Sequence, residues 1–208
     1  MGFELFLLDD GWFGTKYPRN ADNAGLGDWE TNTRKLPNGI PYLINECHKR
    51  NIKFGIWVEP EMVNPKSELY EKHPDWIIAQ PYRERTEQRN QLNLDLSNPQ
   101  VQDYVFNVID RILSNNPGID YVKWDANRYV YNSGSSFLPA DKQTHLFFDY
   151  SKHLMQIMKK VSEKYPDVTF MACSGGGGRI DYGSMQYFDD YWISDNNDPV
   201  QRIFTQWG

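Results

Sequence analysis

Residues 119–128 read IDYVKWDANR, an apolar run that ends abruptly in charged residues. Tyr121 and Val122 belong to the apolar part, and Lys123 and Asp125 follow at alternate positions. In barrel and open-sheet enzymes, the residues that carry out chemistry lie outside the carboxyl ends of parallel strands. The stretch therefore predicts a buried strand that delivers a cation and a carboxylate to a functional edge.

Four further apolar runs end in the same manner, each in an acidic or glycine-rich cluster. They occupy residues 3–8, 53–58, 168–173 and 190–194. Helical patterns alternate with the runs, which indicates parallel crossovers. Polar exits on every strand favour an α/β fold of the (β/α)8 TIM-barrel type over a Rossmann sheet. Because eight strands close such a barrel, we expect residues 1–208 to form one partial barrel domain of about five βα units.

Three helices are predicted between these strands. One follows Asn38, which can cap it. The clearest begins at Asn98 and carries apolar residues at helical spacing. A third is expected over about residues 142–164, whereas residues 64–97 are predicted to be mostly irregular.

Charge and cysteine usage argue against several classes of function. The net charge is −6, and the 22 basic residues are spread along the chain, so no nucleic-acid partner is expected. Cys47 and Cys173 lie far apart and form no CxxC motif, which favours a reduced, cytoplasmic location and leaves one disulfide as the alternative. Residues 3–8 are too short to span a membrane and lack the features of a signal peptide.

The sequence carries no strong metal or cofactor motif, so we expect neither. Its four histidines form neither HxH nor HExxH. The run Asp195–Asp198 resembles a calcium loop only loosely, because Val200 and Gln206 stand where glycine and glutamate are required. The glycine-rich residues 174–179 lack both GK[ST] and GxGxxG, so phosphate binding is not favoured, whereas close approach of a sugar to this backbone is plausible.

Asp125 and Asp195 are the candidate catalytic residues. Each follows a different strand, and two carboxylates that converge on one pocket suit general acid–base and nucleophilic chemistry. The alternative is a pair of unrelated loop aspartates. Lys123 lies two positions before Asp125 and so shares its face, where a cation favours an ionised nucleophile.

Asp9 and Asp10 end the first strand, and Trp57 lies late in the second. The aspartates suit recognition of hydroxyl groups, although either can instead cap the following turn. Trp57 and Trp12 are candidate platforms for the apolar face of a pyranose, with ordinary core packing as the alternative for both. No GxSxG motif or Ser-His-Asp order supports acyl transfer.

Six motifs in order resemble the catalytic barrel of the α-galactosidases of glycoside hydrolase family 36. They are LDDGWFG (8–14), KFGIWVEPEMV (53–63), RNQLNLDLS (89–97), YVKWDANR (121–128), CSGGGGRID (173–181) and WISDNND (192–198). The resemblance covers essentially the whole chain and implies a retaining hydrolase of terminal α-galactosides such as melibiose and raffinose. Asn197 and Pro199 depart from the family pattern, which usually has Thr and Ala there.

The resemblance also implies a role for individual residues. Asp125 would be the nucleophile and Asp195 the general acid and base. Galactose would be bound by a set of side chains around them: Asp9, Asp10, Trp57, Arg89, Lys123, Asn127 and Cys173. In a retaining mechanism, the two catalytic carboxyl groups lie roughly 5 to 5.5 Å apart.

Two other functions compete with α-galactoside hydrolysis. Within the same resemblance, a transferase of the raffinose-synthase type would pass the galactosyl group to a sugar instead of water. A non-catalytic, sugar-binding barrel fragment is the alternative from another class, because an open barrel exposes strand edges. The sequence leaves open whether the full-length protein is a homo-oligomer.

Overall fold

The structure is a computed structural model that describes residues 2–207. Its strands and helices alternate along the chain. In order, they are β1 (Leu5–Leu8), α1 (Gly39–His48), β2 (Lys53–Val58), β3 (Met62–Val63), α2 (Glu68–Lys72), β4 (Leu92–Asn93), α3 (Pro99–Asn115), β5 (Tyr121–Trp124), α4 (Leu146–Lys164), β6 (Thr169–Ala172), β7 (Asp190–Tyr191) and α5 (Pro199–Trp207). A 3₁₀ segment, Ala140–His145, leads into α4, and a second covers Ser184–Gln186.

Five strands form one parallel sheet in the order β1-β2-β5-β6-β7. The spatial order of the five strands in this sheet is therefore the same as their order along the chain. A doubly wound sheet reverses its strand order partway, whereas a (β/α) barrel does not. The predicted α/β architecture, a partial TIM barrel, is therefore confirmed, with β1 and β7 as the edges of the described sheet.

The helices cover one face of this sheet. Phe54 and Ile56 of β2, Val122 of β5 and Phe170 of β6 are completely or almost completely buried in a core that also contains the apolar faces of α1, α3 and α4. Six side chains of α3 are buried, which contributes roughly 10 kcal/mol of gross apolar burial. The opposite face of the sheet therefore lines the interior of the barrel.

The clearest helix begins where the sequence predicts. The side chain of Asn98 accepts the backbone N–H of Gln100 at 2.9 Å, which caps α3. The cap predicted for α1 is wrong, because Asn38 makes no side-chain cap hydrogen bond. Its φ of −97° and ψ of 2° differ from the extended backbone with which a cap residue reaches into the first turn.

The structure also contains elements that the sequence pattern does not predict. The short helix α2 and the strand β4 lie within the stretch expected to be mostly irregular, and β4 pairs antiparallel with β3, which directly precedes that stretch. The last strand spans only Asp190–Tyr191, and α5 follows it. None of the helices in the described residues combines the length and apolar character needed to cross a membrane.

Candidate active site

The predicted site residues follow the carboxyl ends of the sheet strands. Asp9 follows β1, Asp125 follows β5, Cys173 follows β6 and Asp195 lies four residues after β7. Trp57 and Lys123 are paired in register on neighbouring strands and point toward the barrel interior, away from the helices. This edge of the sheet therefore collects most of the residues that the sequence singles out.

Asp125 is only 5% exposed and is held by three N–H donors. Its Oδ2 accepts Nε1 of Trp57 at 3.0 Å and Nδ2 of Asn127 at 2.7 Å. Its Oδ1 accepts the backbone N–H of Ala126 at 2.8 Å. Its own N–H donates to the carbonyl oxygen of Val58, also at 2.8 Å. Both the backbone and the carboxylate of Asp125 are thus fixed in orientation.

Lys123 forms an ion pair with Asp9, whose Oδ2 lies 3.0 Å from Nζ. Burial opposes the charge of Lys123, but the hydrogen bond and charge of Asp9 outweigh it and raise the pKa of Lys123 above its usual value. The lysine therefore stays charged at neutral pH. The pair places a cation and an anion side by side at the mouth of the barrel.

Asp10 is bound by the guanidinium of Arg19, which is buried. The sequence pattern does not predict this contact. Nε of Arg19 donates to Oδ1 at 2.9 Å and Nη2 to Oδ2 at 2.8 Å. Nη1 donates to the side chain of Asn64 at 3.2 Å, which anchors the arginine. Oδ2 accepts a second hydrogen bond from Nε at 3.2 Å, whereas Oδ1 keeps a second acceptor position, so Asp10 is oriented and can still accept a hydroxyl group.

Asp195 lies on an exposed loop, and Trp192 orients it. Nε1 of Trp192 donates to Oδ1 of Asp195 at 2.6 Å. The ring of Trp192 lies 5.2 Å from Nζ of Lys123, so this indole connects the Asp195 loop with the strand that carries Asp125. The sequence pattern does not predict this role of Trp192, although an aromatic residue just past the end of a strand is a signal for it.

Trp57 and Trp12 belong to a buried aromatic cluster. The ring of Trp57 is 2% exposed and lies parallel to Phe13, with centroids 6.2 Å apart. Nε1 of Trp12 donates to the backbone oxygen of Trp57 at 2.9 Å. Stacking on a sugar requires an exposed ring face, which neither residue offers here. Core packing accounts for Trp12, while Trp57 contacts the site through its indole N–H.

The glycine-rich segment packs against the loop that carries Asp125. Ser174 Oγ donates to the carbonyl oxygen of Ala126 at 2.9 Å. A Cβ on Gly176, whose φ is +96°, would lie 2.7 Å from the backbone oxygen of Ile193, so this glycine permits a close approach of two loops. Burial, followed by the negative charge of Asp125, raises the pKa of Cys173 to about 12, which keeps its thiol neutral.

Arg89 is the one predicted site residue that the described contacts do not connect with the others. Its side chain is exposed, and its φ is +51°. It lies in the long loop before β4. Among residues 2–207, no group of three or more potential metal-ligating side chains is placed to hold a metal ion.

Two buried glutamates behind the site were not among the predicted residues. Glu59 accepts the backbone N–H of Asn127, and burial followed by the charge of Asp125 raises the pKa of Glu59 to about 8. Glu61 accepts hydrogen bonds from three different segments of the chain. The acidic exit of β2 was visible in the sequence, but its burial was not.

Comparisons with known proteins identify the family to which this chain is similar. A family model described as Melibiase matches residues 1–208. α-Galactosidase AgaA of Geobacillus stearothermophilus is 47% identical over 208 residues, which are 100% of this chain and 28% of the relative. α-Galactosidase C of Emericella nidulans is 42% identical over 216 residues, again covering 100% of this chain and 28% of the relative.

Solved structures give the same result. The crystal structure of the family 36 α-galactosidase AgaA superposes with a TM-score of 0.94 at 46% identity, over 98% of this chain and 28% of that one. An α-galactosidase of Lactobacillus brevis superposes with a TM-score of 0.93 at 41% identity, over 98% and 27%. The chain thus spans about 28% of the length of these relatives. The resemblance to glycoside hydrolase family 36 is confirmed, and the chain belongs to the Melibiase family.

Proposed function

We propose that this chain is the catalytic barrel segment of a retaining α-galactosidase that hydrolyses terminal α-D-galactosyl residues of melibiose- and raffinose-type oligosaccharides. The observation that carries the proposal is the position of Asp125. This carboxylate lies at the carboxyl end of a barrel strand and is held by three N–H donors.

In the proposed reaction, Asp125 and Asp195 share a double displacement. A carboxylate oxygen of Asp125 attacks the anomeric carbon, the glycosidic C–O bond breaks, and Asp195 gives its proton to the leaving oxygen. Asp195 then takes a proton from water while that water displaces Asp125 from the sugar. Because each displacement inverts the anomeric carbon, the two together leave its configuration unchanged.

Two structures of the Geobacillus enzyme support these roles. In one, an aspartate is replaced by alanine and stachyose is bound; in the other, a different aspartate is replaced by asparagine and raffinose is bound. The two replaced aspartates are separated along that chain by the same number of residues as Asp125 and Asp195 here. Substitution of catalytic groups is a usual way to retain a substrate in a crystal.

The proposed galactose subsite uses the ion pairs at the barrel mouth. Lys123 and Asn127 supply donors, and Asp9 and Asp10 supply acceptors for ring hydroxyl groups. Trp57 and Cys173 would border the sugar, and Arg89 would reach in from its loop. The reaction requires two carboxylates and water, so we propose no metal or cofactor. The unpaired thiols of Cys47 and Cys173 suit the proposed reduced, cytoplasmic location.

The test is hydrolysis of a p-nitrophenyl α-galactoside by the protein in its full natural length. We expect Asp125→Asn to lower kcat by a factor of about 10³ or more, because the nucleophile is lost. Asp167→Asn is the matched control, since Asp167 is exposed and lies at the opposite end of the sheet. Full activity of Asp125→Asn would refute the proposal.

Asp195 is tested by the choice of leaving group. p-Nitrophenolate departs without protonation, whereas the sugar leaving group of raffinose requires an acid. We therefore expect Asp195→Ala to lower kcat/KM far more for raffinose than for the p-nitrophenyl substrate. Equal losses on both substrates would contradict the acid role, and products formed mainly by transfer to added sucrose would indicate a transferase.

A further inference from the structure

Glu59 is a buried carboxyl group without a part in the proposed reaction. It follows β2 directly and has no exposed surface. One oxygen accepts the backbone N–H of Asn127, and the other accepts Nε2 of Gln91 at 3.2 Å. A side chain enclosed in this way cannot touch a substrate. Any effect on the reaction must therefore pass through the residues that it binds.

One of those residues leads directly to the proposed nucleophile. The backbone N–H of Asn127 donates to Glu59, and Nδ2 of Asn127 donates to Oδ2 of Asp125 at 2.7 Å. The preceding residues of β2 hold the same turn, because Trp57 donates to the carboxylate of Asp125 and Val58 accepts its backbone N–H. Two residues of β2 and the residue that follows it thus fix the segment from Asp125 to Asn127, and Glu59 fixes the far end of this segment.

The surroundings of Glu59 can hold a neutral group, because the O–H of a neutral acid finds an acceptor in Gln91. Oε1 of Gln91 is buried without a hydrogen-bond partner and reaches Glu59 once the Gln91 amide is turned over. No lysine, arginine or histidine in the described residues forms an ion pair with it, and a buried carboxylate is costly without such a partner. Asp125, another carboxyl group, faces it from the loop after β5. Arg19 approaches from the loop after β1, but its guanidinium is bound to Asp10.

We propose that Glu59 is a positioning residue for Asp125, acting through Asn127, and that it performs this role as the neutral acid. The inference rests on the proposed function of Asp125 as the nucleophile. A negative charge on Glu59 attracts the amide of Asn127 that holds Asp125, and it repels the carboxylate of Asp125. Ionisation of Glu59 therefore weakens the hydrogen bond from Asn127 that orients Asp125.

The electrostatics give this effect a pH range. Burial is the largest effect on Glu59, the charge of Asp125 is the second, and together they raise the pKa of Glu59 to about 8. The N–H groups of Asn127 and the charge of Arg19 act in the opposite direction. Glu59 is consequently neutral at pH 7 and loses its proton in mildly alkaline solution.

Two substitutions separate the contact from the charge. Glu59→Gln keeps the size and an acceptor for Asn127, and its amide N–H group can donate to Gln91 once the Gln91 amide is turned over. Glu59→Ala removes both contacts. Glu163→Gln, on the exposed side of α4, is the matched control. The variants are compared in the full-length protein with a p-nitrophenyl α-galactoside.

We expect Glu59→Gln to keep kcat at pH 7 within about twofold and to retain activity above pH 8, where the wild type declines. We expect Glu59→Ala to lose kcat by about tenfold or more while KM changes little, because the sugar contacts remain. Wild-type kcat and an unchanged pH profile in both variants would overturn the proposal. An equal loss of kcat at pH 7 in both variants would also overturn it.

A second measurement does not need activity. A carboxyl group whose pKa is raised in the folded state stabilises the protein below its unfolded pKa, and this stabilisation is lost as the pH rises toward about 8. The Tm of the wild type should therefore fall relative to that of Glu59→Gln between about pH 5 and 8.5. A constant difference in Tm would overturn the neutral state, even if Glu59→Ala fails to fold.

These outcomes remain distinct from failure of the proposed function. A wild type that does not cleave α-galactosides would refute that function and the positioning role together, while the Tm comparison would still decide whether Glu59 is neutral. A wild type that is active, and inactivated by Asp125→Asn but not altered by either Glu59 variant, would overturn the positioning role alone.

Discussion

Replacement of Glu61 by glutamine is expected to destabilise the barrel through one unpaired charge. The fully buried carboxylate accepts Nε1 of Trp124 at 2.8 Å, the hydroxyl group of Tyr150 at 2.5 Å and Nη1 of Arg179 at 2.6 Å. It therefore connects the end of β2 with β5, α4 and the glycine-rich loop. Glu61→Gln keeps the shape of the side chain but leaves Arg179 without a counter-ion.

The size of the effect follows from the burial of the pair. Breaking a buried ion pair by removal of one partner costs about 3 to 5 kcal/mol. The side chain of Arg179 is 19% exposed, so this pair is less completely enclosed than a fully buried pair. We therefore expect the lower end of that range, about 3 kcal/mol in the free energy of unfolding. Arg179→Met should cost less, because Glu61 can take up a proton whereas arginine cannot release one.

Urea denaturation of the full-length protein measures these free energies, with circular dichroism as the signal. The double variant Glu61→Leu with Arg179→Met is the control, since an apolar replacement of both partners removes the unpaired charge. It should be more stable than Glu61→Gln alone. A change below about 0.5 kcal/mol in Glu61→Gln, as expected of an exposed position, would refute this reasoning. With the single variant Glu61→Leu measured as well, strict additivity of Glu61→Leu and Arg179→Met would also refute it.

Three further substitutions test separate parts of the structure. Trp57→Phe removes an N–H donor from Asp125 and should lower kcat by about tenfold or more in the p-nitrophenyl assay; a change confined to KM would contradict this. Burial raises the pKa of Asp28 to about 6, so stability is lost as the pH rises through that range, and the fall in Tm between about pH 4 and 7 should be smaller in Asp28→Asn. Asn98→Ala removes the cap of α3 and should cost about 1 kcal/mol in urea denaturation, whereas no loss would argue against the cap.

The features that the sequence predicts correctly arise from local patterns. A cap residue and six apolar side chains at helical spacing predict the helix α3, and all six side chains are buried. Apart from Lys53 and Lys123, the strands β2 and β5 consist of apolar residues and glycine, as expected for parallel strands with both faces covered. Each signal lies within about twenty residues, so no knowledge of the tertiary structure is needed.

The features that the sequence does not predict depend on contacts between distant segments. The five-residue helix α2 is too short to be stable alone, and its first N–H groups are bound by Asp28, which lies about forty residues earlier. Arg19 is anchored beside Asp10 by the side chain of Asn64, which lies 45 residues later in the chain. The burial of Glu59 likewise requires the neighbouring strand and its loop to be in place. A one-dimensional pattern contains none of these distances.

The two proposed catalytic carboxylates are held in very different ways, and the difference suits their roles. Asp125 is buried and receives three N–H donors, whereas Asp195 is exposed and receives one, from Trp192. A nucleophile must be aligned with the anomeric carbon before attack, because the entropy of alignment is otherwise part of the barrier. An acid that later acts as a base must serve the leaving oxygen and then a water molecule, which requires access to solvent. With the roles exchanged, the attacking oxygen would lie on an exposed loop with a single restraint, and the group that exchanges protons with water would be enclosed.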